Sequence, residues 1–313
     1  MKKIISVILC AGAILLATTL FAVQSKETET NEREVTGDTQ QQLIRLTRYD
    51  GQHITGVEAS SGFDIYLIQS HETKVVAEIN EELEDRLELS LSPDGIVRVR
   101  LSSVGQSGRN GRSGDNRNSL RNLNRLNSRN SILKVTVYLP ELTYLKASGA
   151  VTVQSTGVFN SSAAEIILSG ASDVKSLNLN TAGRLKIQCS GASDGSILGK
   201  AGTAEIQVSG ASDVTLNLIC DNITLSCAGA SDLTITGEAD SGTMTVSGGS
   251  DFSASGFAVK RLDVTASGAS DARVWAVDEL RAKATSASDL KYKGNPPVFE
   301  TSSSSAGSVK RMN

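Results

Sequence analysis

A short phrase ending in aspartate recurs along the second half of the chain, and carboxylates at a fixed spacing can bind cations or act as acids and bases. SGASD stands at 169–173, 190–194, 209–213 and 267–271, with AGASD at 228–232, SGGSD at 247–251 and TSASD at 285–289. Successive aspartates are 21, 19, 19, 19, 20 and 18 residues apart. The seven residues are Asp173, Asp194, Asp213, Asp232, Asp251, Asp271 and Asp289.

The aspartates have two interpretations. A calcium row is one, because oxygen ligands at regular intervals can hold Ca²⁺, although the phrase differs from the known GGxGxDxUx calcium repeat. The interpretation that we favour is structural: an aspartate after Gly-Ala-Ser can accept hydrogen bonds from the amides of its own corner. We therefore expect no metal site and keep the calcium row as the alternative.

Other residue types give little support for catalysis or a cofactor. The chain has two histidines, His53 and His71, and no CxxC or HExxH motif, which argues against zinc. Polysaccharide-cleaving enzymes need paired acids, and in a repeat protein an active site of this kind should appear as acids that interrupt the repeat. The acids outside the repeated phrase are explained more simply as members of ion pairs. Trp275 is expected to point outward, where an aromatic ring can serve as a sugar platform, but an ordinary surface residue is the simpler interpretation. We expect no catalytic residue and no cofactor.

Charged residues outside the repeated phrase fall into columns that predict ion pairs between neighbouring repeats. Glu165, Lys186 and Glu205 occupy one outward column, and Asp263 and Arg281 occupy the same column further along. Cys189 and Cys227 share an inward column two repeats apart, about 9.6 Å at the usual strand spacing. That distance exceeds the reach of a disulfide, so both are expected to be core residues.

Apolar columns on either side of the phrase determine the fold class. Apolar and polar residues alternate with period 2, so each repeat should contain two short strands, with SGAS as the corner between them. A unit of about 19 residues cannot bury its own apolar face, whereas stacked copies can. The prediction is an all-β chain: a right-handed parallel β-helix (β-solenoid) of about 19-residue coils, preceded by a smaller β-rich module. A propeller would need blades of about 40 residues. The inward column three residues after each aspartate is predicted to hold Ser176, Ile197, Leu216, Ile235, Ala254, Val274 and Tyr292.

Composition divides the chain into four parts. Residues 1–22 have the basic start and apolar run of a signal peptide, with an uncleaved membrane anchor as the alternative. Residues 23–42 read as a flexible polar tether. Residues 43–140 form the N-terminal β module, with an Arg/Asn-rich insertion at 102–131, and residues 141–313 form the solenoid. Arginines recur every four residues in the insertion, which allows a helix that binds an acidic partner, but a solvated loop is favoured.

Several segments resemble the head GIN domain family, described as putative auto-transporter adhesins of Bacteroidetes-type bacteria. They are SSGFDIYLIQ at 60–69, YLPELTYLKASGAVTV at 138–153, the iterated SGASD, and a tail with GNPPV at 294–298 and SSSAGSVKR at 303–311. The resemblance covers residues 43–313 and implies a two-part, solenoid-like, all-β fold on the exported side. It supplies no catalytic or ligand-binding residues, and the 102–131 insertion departs from it.

These observations predict an exported, non-enzymatic binding or adhesion module that presents an extended polar solenoid face to glycans or surface partners. A polysaccharide lyase or glycoside hydrolase on a β-helix and a purely structural spacer are the alternatives. No nucleic-acid partner is expected, and contact with a membrane is expected only through an uncleaved N-terminal signal. The predicted location is the periplasm or outer surface of a Gram-negative bacterium.

Overall fold

Alternation of apolar and polar side chains produces almost all of the regular structure, because each strand turns one face to the core. The computed structural model describes residues 32–36, 42–102 and 131–312. These residues form a β-solenoid of about nine turns with coils of about 19 residues, as the sequence predicted. The predicted signal peptide (1–22) and nearly all of the insertion (102–131) lie outside the described residues.

Eight strands and one 3-10 helix precede the regular coils. The helix, Glu81–Arg86, places Leu83 in the core. The strands are β1 (Glu32–Thr36), β2 (Leu43–Arg48), β3 (Gly56–Ala59), β4 (Asp64–Gln69), β5 (Lys74–Asn80), β6 (Leu87–Leu91), β7 (Ile96–Leu101) and β8 (Leu133–Leu139).

Fourteen further strands build the regular stack in the described part of the chain. They are β9 (Tyr144–Gly149), β10 (Thr152–Thr156), β11 (Phe159–Ser161), β12 (Ala164–Gly170), β13 (Asp173–Thr181), β14 (Arg184–Cys189), β15 (Asp194–Val208), β16 (Asp213–Cys227), β17 (Asp232–Val246), β18 (Asp251–Ala266), β19 (Asp271–Ala284), β20 (Asp289–Lys293), β21 (Val298–Ser303) and β22 (Ser308–Arg311).

From β15 to β19 each coil is one long strand that bends before the next corner, and not the two short strands that the alternation predicted, because pairing between coils continues through the bend. The coils at either end keep shorter strands. In β16 the inward–outward alternation breaks at Asp221 and Asn222, which are both exposed, and resumes with Ile223 pointing inward. Consecutive coils pair in parallel, with the same positions facing each other along the whole length of β15, β16 and β17. The core therefore runs as a continuous column of Val, Ile, Leu and Ala through the stack.

The hydrogen-bonded sheet continues across residue 140 without a break. Strand β3 lies between β7 and β9, and β4 lies between β8 and β10, so residues 56–69 form a coil in the stack. Glu58 bonds to Arg98 (3.2 Å) and to Lys146 (2.8 Å) across these strands. The hydrogen bond from Lys146 is the main reason that the pKa of Glu58 lies below its usual value. Strands β1, β2 and β5 extend this end as an antiparallel sheet.

Two further sequence-based predictions about local structure need correction. Residues Glu32–Thr36 lie inside the predicted tether (23–42) but form β1, because their backbone pairs with β2 in an antiparallel ladder. Ser176 is exposed rather than inward, because a bulge after Val174 places Leu177 opposite Ile197. The bulge accommodates an extra residue in a coil where 21 residues, not 19, separate the aspartates.

Candidate functional site

The seven aspartates form one ladder on the outside of the corner. Each is the first residue of its strand and faces the next aspartate in exact register, from Asp173 through Asp289. The usual strand spacing places neighbouring backbones about 4.8 Å apart. Four consecutive side chains of the row are exposed, those of Asp194, Asp213, Asp232 and Asp251.

A buried serine, and not the aspartate, closes each corner, which corrects the predicted role of the carboxylates. Ser231 is fully buried, and its hydroxyl donates to the carbonyl of Ala228 at 3.0 Å. Among the hydrogen bonds of the described residues, no corner amide donates to a carboxylate of the row. The aspartates contribute their backbone instead: the amide of Asp232 donates to the carbonyl of Ser212 in the previous coil at 2.9 Å. The same serine bond recurs at Ser172, Ser193, Ser212, Ser250, Ser270 and Ser288.

The aspartate row is partnered only at its C-terminal end in the described residues. Asp289 accepts from the Lys291 ammonium (2.8 Å) and from the Ser308 hydroxyl (2.5 Å). The bond from Lys291 is the main reason that the pKa of Asp289 is lowered. No group of three or more His, Cys, Asp or Glu side chains in residues 32–36, 42–102 and 131–312 has an arrangement that could hold a metal ion. The calcium row stays the alternative interpretation, and stability measured in calcium and in chelator tests it.

Ion pairs run across the coils on a second face, which carries the outward residues after the bend of each coil. Lys186 binds Glu165 at 2.7 Å, as predicted. Glu205 lies opposite Lys186 but binds Arg184 instead, because that guanidinium reaches it diagonally across the strands.

Further along the same face, the predicted pair between Asp263 and Arg281 is also wrong. The two residues lie opposite each other in register. Arg281 nevertheless binds Glu279, two residues earlier on its own strand, at 2.8 Å.

A groove of about 400 Å³, here called the trough, lies on this second face. Its floor consists of short polar side chains from β16 and β17, and longer charged side chains from β18 and β19 form one bank. Ser241 donates to the side-chain oxygen of Asn222 at 2.6 Å across the floor. The residues that line the trough are Asn222, Ile223, Thr224, Ser241, Gly242, Thr243, Arg261, Leu262, Asp263, Glu279 and Arg281.

The charged bank has one ion pair and two charges without a salt-bridge partner. Glu279 and Arg281 bind each other. Arg261 and Asp263 are exposed, and within the described part of the chain neither forms an ion pair. They lie two residues apart on β18, so both side chains point outward on the same side of the strand. The trough therefore offers one free cation and one free carboxylate beside a floor of hydroxyl and amide groups.

The cysteines that the sequence singled out lie in the core. Cys189 and Cys227 stack on either side of Val208 in one inward column, as predicted, and both are free thiols. Burial raises the pKa of Cys189 to about 12 and that of Cys227 to about 11, so the reactive thiolate is suppressed.

Trp275, the predicted outward aromatic, is half-buried and does not line the trough. The Lys293 ammonium sits 3.9 Å from its ring centroid, so one face of the ring is already covered.

A second cavity, of about 430 Å³, lies at the other end of the stack between β1, β2, β5 and β8. There the Lys74 ammonium lies 5.0 Å from the ring centroid of Tyr138.

No helix in the described residues has the length and apolar character that crossing a membrane requires.

Most of the chain matches a known protein family. The family described as putative auto-transporter adhesin, head GIN domain, matches residues 53–217 and 200–296, which is most of the chain. The chain belongs to this family. A comparison with curated protein sequences finds no match.

Solved structures share the head GIN domain fold at low sequence identity. A putative adhesin from Parabacteroides distasonis has a TM-score of 0.61 and 18% identity, covering 86% of this chain and 97% of that one. A putative adhesin from Parabacteroides merdae has a TM-score of 0.57 and 14% identity, covering 87% and 96%. A putative lipid binding protein from Parabacteroides distasonis has a TM-score of 0.57 and 16% identity, covering 86% and 97%. At these identities the likeness establishes the fold.

The trough was not predicted from the sequence, although a signal for it is present. Outward positions at 222 and 241, and at 224 and 243, hold short polar residues, whereas the next coils hold Arg, Asp and Glu at the equivalent positions. A step in side-chain length along a column predicts a depression on a flat face. The outward columns were used only to predict ion pairs, so this change in side-chain length was not recognised.

Proposed function

We propose that the protein is an exported, non-enzymatic binding or adhesion module, and that the trough is where it binds glycans or other polyhydroxylated surface molecules. Membership of a family of putative adhesins supports the binding role, and the signal-like N-terminus supports export. The observation that carries the proposal is the combination of a hydroxyl and amide floor with the free charges of Arg261 and Asp263 in one groove.

The chemistry of the trough suits sugars. Sugar hydroxyls both donate and accept hydrogen bonds, and the Ser, Thr and Asn side chains of the floor do the same. A carboxylate accepts strongly from a sugar hydroxyl, and a guanidinium donates strongly to sugar oxygens, because charge-assisted hydrogen bonds are stronger than neutral ones.

The strands beneath the trough are hydrogen-bonded on both sides. Strands β16, β17 and β18 each pair with the coil before and the coil after, which restrains the backbone that carries the floor and the bank. Such pre-organisation lowers the entropic cost of binding a flexible chain of sugars.

An enzyme is the second candidate, since Asp263 and Glu279 are two carboxylates in the same trough and glycoside hydrolysis uses two. The environment favours binding over cleavage. A general acid needs a carboxyl group held protonated, as in an apolar pocket, whereas Glu279 accepts from a guanidinium and Asp263 is exposed.

A screen for binding and cleavage tests the proposal against both alternatives. The purified protein is incubated with a panel of host and bacterial glycans, retention is measured, and products are analysed for shortened chains. We expect retention with intact chains. Shortened chains that disappear with Asp263→Asn or Glu279→Gln would establish the enzyme instead. Absence of both binding and cleavage across the panel would contradict the proposal and favour the structural spacer.

A further inference from the structure

Arg261 forms no salt bridge in the described residues, unlike the two cations beside it, and its charge only adds to the effect of the Lys260 hydrogen bond in lowering the pKa of Asp240. Lys260, its neighbour in sequence, binds Asp240 at 2.7 Å. Arg281, on the adjacent strand, binds Glu279 at 2.8 Å. Glu279 lies opposite Arg261 in register, but its ion pair is with Arg281. Within the described part of the chain, Arg261 therefore presents its guanidinium to the trough without a salt-bridge partner.

On β17 the residues opposite this bank are short and uncharged: Ser241 lies opposite Arg261, and Thr243 lies opposite Asp263. A guanidinium carries five N–H donors in a planar fork, and Ser241 already donates its hydroxyl to Asn222. The guanidinium borders the open space of the trough, and what it lacks there is a group with two coplanar acceptor oxygens.

We propose that the trough is selective for glycans that carry a carboxylate, with Arg261 binding that carboxylate through both arms of its fork. This inference rests on the proposed glycan-binding function. Arginine matches a carboxylate bidentately, a geometry that a lysine ammonium cannot reproduce. Asp263, two residues away, accepts a sugar hydroxyl, and its charge repels a doubly charged phosphate about twice as strongly as a singly charged carboxylate at the same distance.

Matched charged and neutral ligands test this directly. Oligomers of uronic acids with several backbones are each compared with their methyl esters, which keep the hydroxyl pattern and remove the charge. Calorimetric titration should show at least one acid oligomer binding about tenfold or more tightly than its ester, since a hydrogen-bonded charge pair contributes on that scale. Raising the salt concentration should reduce the preference, because the site is open to solvent.

Two variants assign the preference to one residue. Arg261→Gln should abolish the preference for the acid, because binding of the acid should weaken by more than binding of the ester. Arg273→Gln removes the same charge from an exposed arginine outside the trough, on the next strand, and should leave the preference intact. Both side chains are exposed, so both variants should keep the thermal midpoint of the wild type.

The outcomes separate this inference from the proposed function. Equal binding of acids and esters, or a preference unchanged by Arg261→Gln, would overturn the carboxylate inference while glycan binding stands. Stronger binding of sulfated than of carboxylated oligomers would also overturn it. Absence of binding to every oligomer, together with absence of binding in the wider glycan panel, would overturn both.

Discussion

The corner glycine combines a left-handed backbone conformation with close contact to the previous coil, so a side chain there should destabilise the stack. Gly229 has φ +87°, a left-handed conformation that L side chains rarely adopt. A Cβ added there would lie 2.6 Å from the carbonyl oxygen of Gly210 and 2.9 Å from its nitrogen. Both atoms belong to the backbone of the previous coil, so they cannot move aside without separating the coils. The Ala230 amide donates to the same carbonyl oxygen at 2.8 Å.

Gly229→Ala should therefore destabilise the stack by about 2 to 3 kcal/mol. The left-handed conformation costs about 1 to 2 kcal/mol for a residue with a Cβ, and weakening one inter-coil hydrogen bond adds about 1 kcal/mol. For a domain of this size, that corresponds to a fall of about 4 to 12 °C in the thermal midpoint.

Gly249→Ala is the matched control. Gly249 occupies the next position of the following corner, where the other phrases have alanine, and the nearest atom that its Cβ would meet is 4.0 Å away. The change should be neutral or stabilising by about 0.4 to 1 kcal/mol, because alanine restricts the unfolded chain. Thermal and urea unfolding of both variants would check this, using midpoints because stacked repeats need not unfold in two states. Equal midpoints for the two variants would refute the argument that coil contact at the corner requires glycine.

Three further predictions probe the corner, the junction and the aspartate row. Ser231→Ala should cost about 1 kcal/mol in urea unfolding, because the hydrogen bond of a buried hydroxyl is lost; an unchanged midpoint would contradict the role of serine. Glu58→Gln should cost about 1 kcal/mol at neutral pH from two partly exposed ion pairs. Because the Lys146 hydrogen bond lowers the pKa of Glu58 in the folded state, that difference is fully present above about pH 4.3 and declines as the pH falls toward the folded pKa, so a difference that stays constant as the pH is lowered until the protein unfolds would refute it. Asp232→Asn should raise the thermal midpoint slightly in chelator, since each aspartate neighbour repels by about 1 kcal/mol or less; lower stability of the variant in calcium, with calcium stabilising the wild type, would instead establish the cation row.

Much of the fold was predictable because it depends on two periods that side chains reveal directly. The alternation of apolar residues fixed the inward columns, and the spacing of the phrase fixed the coil length. The bulge at Ser176 was not predictable, because the alternation shows that an extra residue is present but not where the strand accommodates it. The strand Glu32–Thr36 was missed because polar composition masks a segment whose pairing comes from its backbone.

The corner could have been assigned correctly from the same alternation. Counting back from the inward Val214 places Ser212 inside and Asp213 outside, and a neutral hydroxyl is far cheaper to bury than a carboxylate. The trough depends instead on which of several possible partners each long side chain binds. Arg281 can reach Asp263 or Glu279, and the sequence alone does not decide between a neighbour across the coils and a neighbour along the strand.

Filling the trough while leaving the fold unchanged is the most direct test of the central claim that this groove binds glycans. Thr243→Trp places a bulky neutral side chain on an exposed position of the floor, and Thr245→Trp places the same side chain two residues along β17, exposed but outside the trough. Calorimetric titration with a glycan retained by the wild-type protein should show binding lost in Thr243→Trp and preserved in Thr245→Trp. Equal affinities for the two variants would contradict the assignment of the trough as the binding site.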